Sequence, residues 1–307
     1  MNCSMILKRL CPHSTEEQKG IYQGLCSKYH FEKILKGEKE PDILLLKGLL
    51  ERLGKSPEKF DFILGEEEYE EIDWKEKIEN LIEEEKYELA QKKIKQYQMS
   101  IKKNEILKQQ KVEQLQVELL LKQKKYKKAY ELAKIALSYT KENWEVEDKV
   151  KESIWNYPMT ITEVTLLQQL IELQEQLGEK EKSYEQAKKM ERFLKRFITD
   201  MELLASVYNR TILFLANTAY MYHDYEKCVF YCKKGICCLR EARTLKNSVE
   251  IFQLRAKAMK EGQVVTEREW KQAYFEACSI ESIYQKENML IEQIEKGIEE
   301  EIWEFIQ

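Results

Sequence analysis

Proline occurs only four times in 307 residues, at positions 12, 41, 57 and 158, and glycine only ten times. Proline removes a backbone donor and clashes inside a helix, and glycine carries the largest entropy cost there. A chain so poor in both can run in long uninterrupted helices. Its commonest residues, Glu, Lys, Leu, Ile and Gln, lose little side-chain freedom on entering one. Few stretches show the strict apolar–polar alternation of a half-buried strand. The expected fold class is all-α.

The breakers cluster at the N-terminal end and punctuate it clearly. A short helix over residues 1–10 is stopped by Pro12. Ser14 and Glu17 then have the spacing of a capping box, and a helix is expected from there to about Gly24. Ser27 is the candidate N-cap of a helix from Lys28 to Lys36, with Gly37 as its left-handed end. Pro41-Asp42 opens the next helix, which carries Ile43, Leu46, Leu49, Leu50 and Leu53 on one face and stops at Gly54. Ser56-Pro57 starts a last short turn that closes at Gly65. Residues 1–65 therefore read as a small bundle of about five short helices.

An acidic link, residues 66–73, leads into a different pattern. From Trp74 the chain reads as long amphipathic helices in pairs, spanning 66–307. An aromatic followed by a small residue recurs in Lys86-Tyr87-Glu88-Leu89-Ala90 and Lys125-Tyr126-Lys127-Lys128-Ala129. It returns in Lys182-Ser183-Tyr184-Glu185-Gln186-Ala187 and Asp224-Tyr225-Glu226-Lys227-Cys228. The aromatic would open the second helix of a hairpin, and the small residue would admit its partner. The marks stand 39, 58 and 41 residues apart, wider than the ~34-residue tetratricopeptide (TPR) period, so the expected array is an irregular TPR-like α-solenoid. A terminal hairpin, about Glu267–Gln285 and Glu287–Ile306, would cap it.

Charge and chemistry narrow the function classes. The net charge is −4, but residues 1–65 carry 11 Lys/Arg against 9 Asp/Glu, a balance of +2 on an acidic remainder. No apolar run approaches the ~20 residues of a membrane span, and no secretion signal is legible, so a cytoplasmic protein with free thiols is expected. The eight cysteines form no disulfide framework. Cys228 and Cys232, with Cys237, Cys238 and His223 nearby, lack zinc-site spacing and read as small packing residues. With three histidines, His13, His30 and His223, and no phosphate-binding glycine loop, no catalytic constellation can be assembled. The acidic runs 83–85 and 299–301 read as solvated faces, not acid–base pairs. Neither an enzyme nor a cofactor or metal is expected.

The stretch from Gly24 to Pro41, with Ser27, Gly37 and Pro41 in register, resembles the second half of a Cro-like (Xre-type) helix-turn-helix. The likeness covers residues 5–64. It implies core positions at Ile21, Leu25, Phe31, Ile34 and Leu46. It places Gln18 beside a DNA phosphate and makes Lys28–Lys36 the recognition helix. Such a helix offers its N-terminal side chains to base edges, here Ser27, Lys28, Tyr29 and His30, with Lys33 a turn on. Lys36 and Lys39 would lie near phosphates, which give affinity without sequence choice. The chain departs from the pattern at Pro12, at Gly20 in place of a better helix former, and at Glu32, Glu38 and Glu40, which oppose phosphate contact. A head kept only for packing or dimerisation is the alternative.

A helix-turn-helix head (1–65) before irregular TPR hairpins (66–307) resembles the RRNPP family of peptide-responsive bacterial regulators. That resemblance implies a homodimer that binds double-stranded DNA through the head. It also implies a short signalling peptide or protein bound by the repeats. In that family Asn side chains of inner helices hold the peptide backbone, because an amide both donates and accepts. Asn209 and Asn217, eight residues apart on one expected helix and so on roughly one face, with Arg210 and Tyr220, are the candidates here. The expected function is a transcriptional regulator. The alternative is a TPR-type interaction module whose head does not touch DNA.

Overall fold

The computed structural model describes residues 3–60, 66–102, 104–141, 154–245, 248–263 and 265–284. Among them every regular element is helical, as the scarcity of breakers required. The expected boundary after residue 65, the closure at Gly65 and the final helix 287–306 lie outside the described residues. The chain divides into two compact units, 1–203 and 204–307, with the division inside one helix.

The head is built from α1 (Cys3–Leu10), α2 (Thr15–Tyr22), α3 (Lys28–Lys36) and α4 (Ile43–Arg52), with a single 3-10 turn at Pro57–Lys59. Three of its caps are where the sequence put them, whereas Ser56, expected to cap the last turn, makes no side-chain cap hydrogen bond. Ser14 accepts from Glu17 N, Ser27 Oγ from His30 N at 3.2 Å, and Asp42 Oδ1 from Leu45 N at 2.9 Å. Gly37 ends α3 at φ +77°, where a side chain would be strained. Leu7, Phe31, Ile34, Leu49 and Leu50 form the core. Of the residues expected inside, Ile21, Phe31, Ile34 and Leu46 are buried and Leu25 is half-buried.

The repeats in the first unit are α5 (Glu66–Glu83), α6 (Tyr87–Ser100), α7 (Ile106–Lys122), α8 (Tyr126–Ser138), α9 (Ile161–Gln176) and α10 (Lys180–Phe197). Neighbours in this order pack on one another, apart from the step into α5. Helix α11 (Met201–Met221) crosses the division. The second unit continues with α12 (Tyr225–Ala242), α13 (Val249–Gly262) and α14 (Glu267–Tyr284), where α13 packs on both α12 and α14.

One turn is reused at four hairpins. Glu85, Lys124, Gly178 and His223 each adopt positive φ. The next residue's N–H then reaches back to the fifth residue before it: Lys86 to Leu81, Lys125 to Leu120, Glu179 to Gln174 and Asp224 to Ala219, all at 2.8–2.9 Å. This is the Schellman closure of a helix end. Five residues after each positive-φ position comes a small, fully enclosed side chain: Ala90, Ala129, Ser183 and Cys228. The third mark is thus corrected. Lys182-Ser183-Tyr184 through Ala187 resembles the others in composition, but the turn is at Gly178 and the small residue is Ser183. The expected mark lay one helical turn late, because Ala187 occupies the next inward position, equivalent to Ala133 and Cys232. The turns are accordingly 39, 54 and 45 residues apart.

Within the first unit the head lies tightly against the hairpins, and its glycines explain how. A Cβ on Gly20 would stand 3.2 Å from Pro158 Cδ and 3.3 Å from Tyr157. That contact accounts for a glycine inside α2. Gly24, at φ +81°, brings the α2–α3 turn so close to Thr140 that a Cβ would lie 2.0 Å from its carbonyl oxygen. Gly54 O accepts from Asp200 N at 3.0 Å. Nearby, Lys59 Nζ meets Asp200 at 2.7 Å.

Candidate functional site

The tightest electrostatic feature of the head lies behind the helix-turn-helix. Arg52, in the last turn of α4, is fully enclosed. One of its nitrogens donates to the carbonyls of Gly20, Ile21 and Gln23, at 3.4, 3.2 and 2.6 Å, so it caps the C-terminal end of α2. The other donates to Glu163 Oε1 at 2.5 Å, and neither side chain of this pair is solvent-exposed. Glu163 is the third residue of α9. Its Oε2 accepts from Thr160 N at 2.7 Å while Thr160 Oγ1 accepts from Glu163 N at 3.2 Å, a complete capping box. Burial alone would raise the Glu163 carboxyl. The Arg52 guanidinium and the Lys141 ammonium outweigh burial and hold it at about 2. Burial pushes the Lys141 ammonium down to about 8. The α2–α3 turn is therefore fixed to the start of α9, so α3 has a set orientation relative to the first unit's hairpins.

On the opposite side of α3, the expected DNA-facing residues separate into two groups. Lys28, Tyr29, Lys36 and Lys39 are exposed, and Tyr29 is 68% so, a large aromatic left in water. Lys33 Nζ sits 4.7 Å above the Tyr29 ring, which pre-positions both groups. Lys28 Nζ lies 3.8 Å from Glu32, a loose pair between exposed side chains. Glu38 and Glu40 are also exposed. Ser27 Oγ and Gln18 have structural partners instead. The Ser27 hydroxyl caps α3, and Gln18 Nε2 donates to Pro12 O at 2.8 Å, fixing the α1–α2 link. His30 turns its Nε2 inward without an acceptor. Burial, then the Lys39 charge, lowers its pKa. The Cys26 thiol beside the turn is pushed up to about 11 by burial and is not a reactive thiolate.

The four expected peptide-contacting residues differ in burial. Asn209 is only 4% exposed, wedged so that a Cβ on Gly235 of α12 would lie 3.0 Å from its Oδ1. Both of its amide atoms lack a hydrogen-bond partner. Asn217 is exposed. Eight residues at 3.6 per turn leave them about 80° apart, enough to place one inside a helix seam and the other outside it. Arg210 is half-buried. Tyr220 Oη donates to the Glu261 carboxylate, and Lys257 Nζ covers its ring at 5.0 Å, which ties α11 to α13. Cys228 and Cys232 are buried as expected, and among the described residues no group of His, Cys, Asp or Glu could hold a metal ion. No described helix is long and apolar enough to cross a membrane.

Sequence reasoning did not select Arg52 or Glu163. The signal for Glu163 was present in Thr160-Ile161-Thr162-Glu163, a second capping-box spacing. Arg52 stood out only as a cation among the leucines of α4.

No protein-family model and no curated protein matches the sequence. Solved structures do match. PlcR from Bacillus thuringiensis, in complex with the peptide PapR7 and DNA, is similar over 92% of this chain and 95% of its own, with a TM-score of 0.56 at 14% identity. The chain has the PlcR fold. The all-α architecture implied by the RRNPP resemblance is thus met over nearly its full length. Two structures of the competence regulator ComR also match. One is the apo form from Streptococcus vestibularis (TM-score 0.48, 15% identity, 96% of this chain and 97% of that one). The other, from S. thermophilus with DNA and its signalling peptide ComS, has TM-score 0.45 and 14% identity, with the same coverage.

Proposed function

We propose that the chain is a cytoplasmic DNA-binding transcriptional regulator, not an enzyme, in which a helical-repeat region (66–307) binds a peptide or protein that controls the helix-turn-helix head (1–65). The observation that carries this reading is the outer surface of α3. Lys28 and Tyr29 stand exposed in its first turn, the half-buried Lys33 follows, and the exposed Lys36 and Lys39 lie at its end and just beyond it. Lys28, Tyr29 and Lys33 would reach base edges, and Lys36 and Lys39 would take phosphates. The PlcR fold supports it, because that protein's structure contains both a peptide and DNA. One short recognition helix reads few bases, so a homodimer on two half-sites is part of the proposal. Asn217, Arg210 and Tyr220 are proposed to meet the peptide. Asn209 would join them only if α11 and α12 parted, since its free amide is enclosed. The Lys28–Glu32 pair and the exposed Glu38 and Glu40 favour the second reading, an interaction module with a silent head.

Fluorescence anisotropy separates the two readings. The folded protein is titrated with a duplex from the DNA upstream of its own coding sequence and with a scrambled duplex, at two salt concentrations. The regulator binds the first more tightly, and salt weakens binding. Lys28→Ala with Lys33→Ala lowers affinity about tenfold or more with an unchanged melting temperature. Equal affinity in that variant would sink the assigned surface, and no binding to either duplex would favour the interaction module.

A further inference from the structure

The second unit holds a cavity of about 240 Å³ where the end of α12 meets α13 and α14. Its apolar lining comes from Ile236, Leu239, Leu245 and Phe252. Three guanidinium groups line it as well. Arg240 and Arg243, in and just past the last turn of α12, are exposed. Arg255 of α13 is largely buried, its side chain 14% exposed. It donates through Nη2 to Glu276 of α14, and its guanidinium lies 5.3 Å from the Phe252 ring centre. Its Nε is buried and has no acceptor.

These charges do not balance. Among the lining residues one carboxylate, Glu276, faces three arginines, which leaves a surplus of two positive charges. The partial negative charge of the α12 C-terminus accounts for cations near it. That charge, about half a unit, does not offset a surplus of two. The planar guanidinium matches a carboxylate bidentately. The apolar floor selects against a bare inorganic anion, and the volume falls below the ~300–1,000 Å³ of pockets for larger ligands.

We infer that this cavity is a binding site for a small apolar carboxylate. The acid group sits between Arg240 and Arg243, and the hydrocarbon part rests on Leu239 and Phe252. The same chemistry is offered by a free short-chain acid and by the C-terminal residue of a peptide that ends in an aliphatic side chain. The inference is independent of the DNA-binding reading.

Isothermal titration calorimetry on the full chain tests it with three probes: hexanoate, N-acetyl-glycyl-glycyl-leucine, and the same tripeptide amidated at its C-terminus. One or both acids bind with Kd in the millimolar range or tighter, and the amide binds about tenfold more weakly or not at all. Binding by hexanoate alone assigns a free acid, and preference for the tripeptide assigns a peptide end. Arg240→Gln with Arg243→Gln removes the binding at unchanged helicity, and Arg243→Lys retains part of it. Equal binding of acid and amide, unaltered binding in the double glutamine variant, or no heat from any probe at about 10 mM would overturn the assignment.

Discussion

Replacing Arg52 with methionine takes the cation out of a water-free site and leaves its partners behind. The Glu163 carboxylate keeps its capping bond from Thr160 N and the Lys141 ammonium 3.9 Å away, but loses its shortest contact. Three carbonyls at the end of α2 lose a donor together. Removing one member of a buried ion pair costs about 3–5 kcal/mol. The depressed Glu163 carboxyl, held down by Arg52 first and Lys141 next, points the same way. Glu163 is held at about 2 against an ordinary 4.5, and at about 1.4 kcal/mol per pKa unit that difference is worth about 3 kcal/mol. Urea unfolding followed by far-UV ellipticity reads the loss directly. A cycle of Arg52→Met, Glu163→Leu and the double variant isolates the coupling. The double variant should be no worse than the weaker single, with a coupling of about 2 kcal/mol or more. The pH dependence has a defined sign. The folded-state carboxyl is depressed, so its contribution is present above about 4.5 and is lost as pH falls toward 2. Arg52→Met should flatten that acid limb. Single variants that cost under about 1 kcal/mol, or strictly additive costs, would refute the coupling of head to hairpins through this pair.

Two further expectations come from the same surfaces. Gly24→Ala and Gly178→Ala both place a side chain at positive φ, but only the first meets a backbone oxygen, at 2.0 Å, whereas the second meets nothing within 4 Å. Thermal unfolding should therefore show Gly178→Ala losing about 1 kcal/mol and Gly24→Ala losing several times that; equal losses would refute the close approach to Thr140. Burial raises the Glu51 carboxyl to about 7, although Ile161 N donates to it at 2.9 Å. A raised folded-state pKa means stability present below about 4.5 that is lost as pH rises to 7. Glu51→Gln, which keeps the acceptor, should be more stable than the parent at pH 8, and the gain should vanish below pH 5.

The local structure of the head could be read from its punctuation. Ser14, Ser27, Asp42 and Gly37 act within four residues of themselves, so their roles as caps were fixed by chain geometry alone. The hairpins were legible for a related reason. A helix pair closed by one turn needs a small residue at a set distance, and Ala90, Ala129 and Cys228 gave that away. The third mark misled because Ser183 and Ala187 are both small inward residues one turn apart, and composition cannot say which follows the turn. Likewise, periodicity put Asn209 and Asn217 on one helix but could not tell a seam from a surface.

What the sequence determined by itself, then, was the helical class, the caps, the hairpin order and the basic outer surface of α3. Each follows from interactions between residues near one another in the chain. The tertiary structure alone decided that Arg52 meets Glu163 across 111 positions, that Gly20 and Gly24 are spaces for Tyr157, Pro158 and Thr140, and that three arginines converge on one cavity. Those contacts depend on how helices pack, and packing is set by the fit of whole surfaces, which no local pattern of residues encodes.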